Sequence, residues 1–185
     1  MKYIIPIVFF FVTILTQSCC RCDDVKQEFT EEEEAWIPDG ELGDSIVFTN
    51  GDSLTKTFFV EFKDKGYMIE MCAGPGCCIC EEDHALISNY RIGGEIIPGT
   101  MVTEGFTINI DKSNYNFTKT FGWSCIYNKF QEFDYTLDTL IVKGVLYNTV
   151  HVKETNDCNI RKIYFVKKIG LIKFELEDGV WERMN

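Results

Sequence analysis

From Ser45 onward, apolar residues recur at every second position rather than every third or fourth. This period constrains the fold more than any other feature of the chain. Ile46 and Phe48, then Phe58, Val60 and Phe62, then Tyr67, Ile69 and Met71, and later Phe106, Ile108 and Ile110 each mark one side of an extended segment. Asn50-Gly51 tolerates positive φ and predicts a hairpin turn; Asp64-Lys65-Gly66 predicts a second. Residues 85–100 read as turn-rich around Gly93-Gly94 and Pro98-Gly99, and 83–89 is the one body stretch that could host a helical turn. Alternation then continues through Phe117 and Phe121, through Phe133, Tyr135 and Leu137, and through short apolar runs ending at Val180-Trp181. His151, between Val150 and Val152, is expected on the outer face of its strand. The chain is thus expected to be all-β: a curved antiparallel meander of about ten strands, too many for a flat sheet and so a half-barrel.

Composition agrees with a folded domain, with 45% apolar and 14% aromatic residues. The net charge of −11 and pI near 4.6 speak against nucleic acid and anionic lipid surfaces as partners, since both need clustered Lys and Arg.

Ahead of this body, Lys2 precedes a nearly unbroken apolar run over 4–15, followed by Thr16, Gln17 and Ser18. That is the layout of a secretory signal peptide, and the run is too short for a membrane-spanning helix. Leu15-Thr16-Gln17-Ser18-Cys19 resembles a bacterial lipobox, although the branched residue usual three before the cysteine is here Thr16. The resemblance implies cleavage before Cys19 and its lipidation with palmitate-type acyl chains, with Cys20 as the competing site. Several acyl chains anchor firmly where one is marginal. Removing 1–18 takes away Lys2 alone, which leaves the mature chain one unit more negative. The expected organisation is a signal peptide over 1–18, an acidic flexible tether over 19–40 and a single β domain over 41–185. Glu31, Glu32, Glu33 and Glu34 favour a solvated spacer, with a helix over 25–36 as the alternative because Val25, Phe29 and Trp36 share a face.

Tyr147-Asn148-Thr149-Val150, Ile163-Tyr164-Phe165-Val166, Ile169-Gly170-Leu171-Ile172-Lys173-Phe174 and Trp181 resemble the closing strands of small uncharacterised outer-membrane and surface lipoproteins of Bacteroidetes. Trp36-Ile37-Pro38 is similar to their entry segment. The resemblance implies a cell-envelope location and a β fold, and carries over no catalytic residue. Asp23 and Asp24 are similar to the acidic export signal of surface lipoproteins in that group, interrupted by Arg21 and Cys22. Surface display and a periplasm-facing outer-membrane position both remain open.

Cys72, Cys77, Cys78, Cys80, Cys125 and Cys158 are an even set in an exported chain, so disulfides are the first reading; six cysteines allow 15 pairings. The alternative is an envelope metal site or redox centre built on Cys72, Cys77, Cys78 and Cys80, four thiolates in nine positions around Gly74, Pro75 and Gly76, with His84 near enough to join. The spacing departs from paired Cys-x₂₋₄-Cys zinc patterns. The adjacent Glu81-Glu82-Asp83 also raises rather than lowers thiol pKa, against a redox dithiol.

No nucleophile elbow, phosphate-binding glycine loop or His-Glu-x-x-His pattern occurs, and no cofactor motif. Asp39, Glu41 and Asp44 could hold calcium weakly but read better as an acidic turn. Asp44-Ser45-Ile46, Asp52-Ser53-Leu54 and Asp138-Thr139-Leu140 are similar to the O-glycosylation signal of Bacteroidetes, which makes Ser45, Ser53 and Thr139 candidates. The expected function is that of a membrane-anchored, non-catalytic binding or accessory domain, tied to the membrane through its lipid and contacting a protein, glycan or lipid partner.

Overall fold

The computed structural model describes residues 27–51, 54–69, 84–96, 103–113, 116–123, 129–156 and 159–184. Among these residues one helix, α1 (Glu31–Glu34), is followed by β1 (Ser45–Asn50), β2 (Leu54–Ile69), β3 (His84–Ile96), β4 (Thr103–Lys112) and β5 (Phe117–Trp123). Then come β6 (Lys129–Phe130), β7 (Tyr135–Val142), β8 (Val145–Glu154), β9 (Ile160–Val166), β10 (Gly170–Leu176) and β11 (Gly179–Arg183). All eleven strands form one sheet in the order β6-β5-β4-β3-β2-β1-β11-β10-β9-β8-β7, every pairing antiparallel. The first and last segments of the body meet where β1 pairs with β11, Phe48 opposite Arg183.

The sheet curls into a half-barrel because its twist accumulates over many strands and its inner face carries large rings. Phe121 of β5 and Phe165 of β9 stand far apart in sheet order, yet their rings are 5.7 Å apart. Phe106 reaches Phe165 at 6.1 Å, while Phe174 gathers Phe48 at 5.0 Å, Trp123 at 5.0 Å and Phe58 at 5.9 Å. Ile92, Ile108 and Ile110 fill the spaces between. Near one end, Glu104 is almost buried and held by Lys56 at 2.6 Å, whose ammonium lies 4.8 Å over the Trp181 ring.

A second apolar cluster lies on the opposite side of the last strands, where Val142, Tyr147, Val150 and Val152 meet Tyr164, Val166 and Ile172. Pairing of β8 with β9 is confined to 151–154. Beyond it the β7–β8 hairpin crosses the back of the sheet, and the Lys143 ammonium at its tip donates to the Gly51 carbonyl at 3.4 Å. Irregularities set which face each segment shows. Ile172 is an extra residue between the Leu171–Phe165 and Lys173–Tyr164 pairs, which turns it to the second cluster while Leu171 and Phe174 stay in the first.

The alternation and the Asn50-Gly51 turn appear as expected, with Gly51 at φ 66°. Several local expectations fail. Asp64-Lys65-Gly66 is not a turn: β2 runs through it, with Lys65 opposite Ser88 and Gly66 opposite Ile87, so long-range pairing overrides local turn preference. The same pairing makes 84–96 a strand rather than a turn-rich stretch, and leaves no helical turn over the part of 83–89 that is described. Phe62 faces outward, because Glu61 is an extra residue between the Val60–Ile92 and Phe62–Arg91 pairs and reverses the phase. Phe133 precedes β7 and packs onto the main core, and Tyr135 is exposed.

The acidic stretch also departs from a solvated spacer. Over its described part, Phe29, Trp36 and Ile37 join the main core. The helix is a single turn rather than 25–36, opened by a capping box in which Thr30 and Glu33 satisfy each other's backbone N–H. Its glutamates reach lysines of the sheet: Glu33 meets Lys112 at 2.7 Å, Glu34 meets Lys65 at 2.8 Å and Glu32 meets Lys167 at 3.5 Å. Backbone bonds from Lys168 N–H to the Ala35 carbonyl and from Asp39 N–H to the Lys168 carbonyl fasten its end. The packed unit therefore begins by Phe29 rather than at 41; burial of one indole outweighs the charge of the four glutamates before it, three of which meet lysines.

Gly105 carries a test of the β3–β4 ladder. A Cβ there would fall onto the Ile92 carbonyl oxygen, which belongs to backbone and cannot swing aside. Gly105→Ala is expected to cost about 1–3 kcal/mol, read as a lower urea midpoint with an unchanged slope. A midpoint equal to the parent would mean that the two strands approach less closely.

Candidate functional site

Trp36 fills the mouth of the inner face between the two wings of the sheet, and beside it the plug segment, with Lys63 and Lys168, lines a shallow depression of about 360 Å³. The indole lies 5.5 Å from Phe121, 6.0 Å from Phe165, 6.0 Å from Phe133 and 4.8 Å from His151. Lys119 and Lys167 stand over its ring at 5.0 and 4.6 Å, from β5 and from the turn after β9. A concave binding face is thereby replaced by a core.

His151 belongs to this plug, not to the outer face. β8 has Thr149 at φ 54°, an uncommon conformation for a β-branched residue, and the local kink turns His151 inward. Its Nδ1 is 3.1 Å from Thr136 Oγ1, and its Nε2 is buried with no hydrogen-bond partner among the described residues. Burial first, then the charges of Lys167 and Lys119, hold the imidazole below its ordinary pKa. The groups facing it are thus two rings, one hydroxyl and two ammonium groups, with Glu32 paired to Lys167. A histidine kept neutral by the fold adds stability that is complete above its unfolded pKa and is lost as pH falls through the folded one. The melting temperature is expected to drop on acidification below about pH 6.5, and His151→Phe is expected to flatten that slope. An unchanged slope in the variant would remove His151 from the plug's titration. Glu33, held below the usual carboxylate range despite its desolvation by bonds from Lys112 and Thr30, adds a further loss at lower pH.

The outer face of β2 to β5 is organised differently. Cross-strand register places Phe62, Arg91, Thr107 and Gly122 in one row, Asp64, Asn89, Asn109 and Thr120 in the next, and Gly66, Ile87, Asp111 and Thr118 in a third. Phe62, Asn89, Arg91, Thr107 and Asn109 line a depression of about 410 Å³ with Glu61 and Tyr90. A second depression, about 240 Å³ and lined by Asp64, Gly66, Tyr67, Ile87 and Asn89, meets it at Asn89. Phe62 is 47% exposed and Phe59, one bulge away, 50%. Glu61 lies where a Cβ on Gly93 would stand and meets the Arg91 Nε at 3.0 Å, so its carboxylate is neutralised within the face. Burial raises the pKa of Asp111.

Other candidate residues are scattered. The Asp44 carboxylate accepts from the Glu41 N–H at 2.8 Å and Glu41 approaches Lys63 at 4.0 Å, which is turn chemistry. No group of three or more His, Cys, Asp or Glu suited to a metal occurs among the described residues. Asp134 is tied to Lys153 and the Glu154 N–H, and Glu175 accepts from the Tyr164 hydroxyl at 2.7 Å. Ser45 and Thr139 are exposed on β1 and β7; Ser53 lies outside the described residues. So do Cys19, Cys20, Cys22, Cys72, Cys77, Cys78, Cys80, Cys125 and Cys158, and with them the lipidation, disulfide and metal expectations. The backbone of His84 pairs with Ile69 at the start of β3. Sequence reasoning missed the outer groove because its members are mostly polar and are spread over three strands, β2, β3 and β4; the outward turn of Phe62 was its hidden signal.

Comparison with known proteins brought no match to a family model, to a curated protein or to a solved structure.

Proposed function

We propose that this chain is a lipid-tethered, non-catalytic binding domain of the cell envelope, of the small Bacteroidetes lipoprotein kind, whose contact surface is the outer face of β2 to β5. The observation that carries the reading is the contrast between the two sides of the sheet. Aromatic rings fill the inner side, whereas the outer side bears an open groove with exposed Phe59 and Phe62 beside amides, hydroxyls and a neutralised ion pair. Binding sites are concave, largely pre-formed and carry a few placed polar groups, and their volumes run from about 300 to 1,000 Å³. The leader over 1–18 and Cys19 support the tether, and no described helix is long and apolar enough to cross a membrane. Acyl ligands carried inside the half-barrel, the lipid version of the same function, lose their support because the described interior is occupied.

The experiment is site-specific photo-crosslinking on living cells, with benzoylphenylalanine in place of Phe59, an exposed outer-face ring at the edge of the groove, or Leu146 on the β7–β8 hairpin. A discrete adduct from position 59 and none from 146 is expected. Equal labelling from both positions, or none from 59, would remove the outer face as the contact surface.

A further inference from the structure

We infer that the outer groove takes a neutral oligosaccharide laid along β2 and β3, a ligand class that rests on the outer-face reading above. The groove is elongated, since its two depressions join at Asn89 and extend from Phe62 to Gly66. Its occupant is therefore a chain or rod rather than a compact molecule. Charge narrows the class: within a chain of net charge −11, the described part of the face carries Asp64 and Asp111 beside the Glu61–Arg91 pair, and Lys129, at the β6 end of the Phe62 row, leaves the acidic excess standing. A polyanion meets repulsion there. Backbone chemistry narrows it again. Extended peptides are captured on sheets mainly through the main chain of an edge strand, and β2, β3 and β4 are interior strands whose ladder is occupied on both sides. Recognition must use side chains alone.

The side chains suit a sugar. Asn89 and Asn109 each present an amide that both donates and accepts, Thr107 and Thr120 present hydroxyls, and the four stand on one face at adjacent register positions. Phe62 offers an exposed ring whose negative π face attracts the polarised C–H groups on the apolar side of a pyranose. Gly66, where a Cβ would meet only open space, keeps the floor low beside Asn89, so that a flat ligand reaches the amide. A protein partner would instead be met by an apolar centre with charges held to the rim, whereas here the aromatic sits at one end and the centre is amide.

The test is affinity electrophoresis of the full chain in a sugar-free zwitterionic detergent, through gels cast with neutral polysaccharides (mannan, xyloglucan, laminarin, starch) or anionic ones (heparin, polygalacturonate). Retardation by at least one neutral polysaccharide is expected. Phe62→Ala and Asn109→Ala should each weaken it by about tenfold or more, while melting temperatures stay near the parent because both side chains face outward. Asn109→Asp, nearly isosteric but charged, should weaken binding likewise and guards against a folding artefact. No retardation by any neutral polymer, stronger retardation by an anionic one, or variants that bind as the parent would each overturn the inference. A protein adduct from position 59 without polysaccharide retardation overturns the ligand class and leaves the outer-face reading standing. Absence of both overturns the two together.

Discussion

Trp36→Ala is expected to lower the stability of the folded chain by about 3–5 kcal/mol, the range for removing a large buried aromatic. For a domain of this size that is about 10 °C or more in melting temperature. The indole is only 9% exposed and touches residues from both wings of the curled sheet, Phe121 on β5 and Phe165 on β9. Its loss opens a cavity that neither wing can collapse into alone, because Lys119 and Lys167 would bring charge toward it. The ion pairs of Glu32 and Glu34 with Lys167 and Lys65 do not compensate, since pairs with exposed members are worth little. Trp36→Phe should recover more than half the loss. A change within about 1 kcal/mol for the alanine variant would mean that residues 29–37 are not part of the folded unit.

Cys19→Ser is expected to have the largest effect in cells. Each acyl methylene buried in the bilayer contributes about 0.8 kcal/mol, so removal of the anchor shifts the chain from membrane to aqueous phase almost completely. Metabolic labelling with palmitate should mark the parent and Cys20→Ser, and leave Cys19→Ser unlabelled. Label retained by Cys19→Ser and lost by Cys20→Ser would move the anchor by one residue. Label on neither variant's parent would remove the tether from the proposal.

The half-barrel was legible because period-two patterning survives in most strands; Phe106, Ile108 and Ile110 needed nothing but their spacing to be placed inward. What was hidden lies at irregularities. A single extra residue at Glu61 turned Phe62 from core to surface, and a kink at Thr149 turned His151 from surface to core. No propensity reports a bulge, whose position depends on what the partner strand offers, here Gly93 beneath the Glu61 side chain. Gly93 and Gly94 looked like turn residues for the same reason: a glycine closely approached by a neighbouring side chain, here Glu61 and Phe58, reads like one needed for a turn. Trp36 was masked by the glutamates before it, whose charge dominates a composition window although their side chains and the indole point to different sides of one turn. The outer groove was the least legible part. Phe62, Asn89 and Asn109 are ordinary residues one by one and become a surface only through the β2–β3–β4 register.

The division of the sheet into a filled inner side and an open outer side is tested most directly by hydroxyl-radical footprinting of the full chain in detergent micelles, with oxidation of each aromatic residue followed by mass spectrometry. Phe59 and Phe62, about half exposed, should oxidise rapidly, whereas Trp36, Phe106, Phe121 and Phe165 should resist at the same dose. Rapid oxidation of Trp36 and Phe121 with Phe62 protected would contradict the assignment, and would return the concave face as the place where a ligand binds.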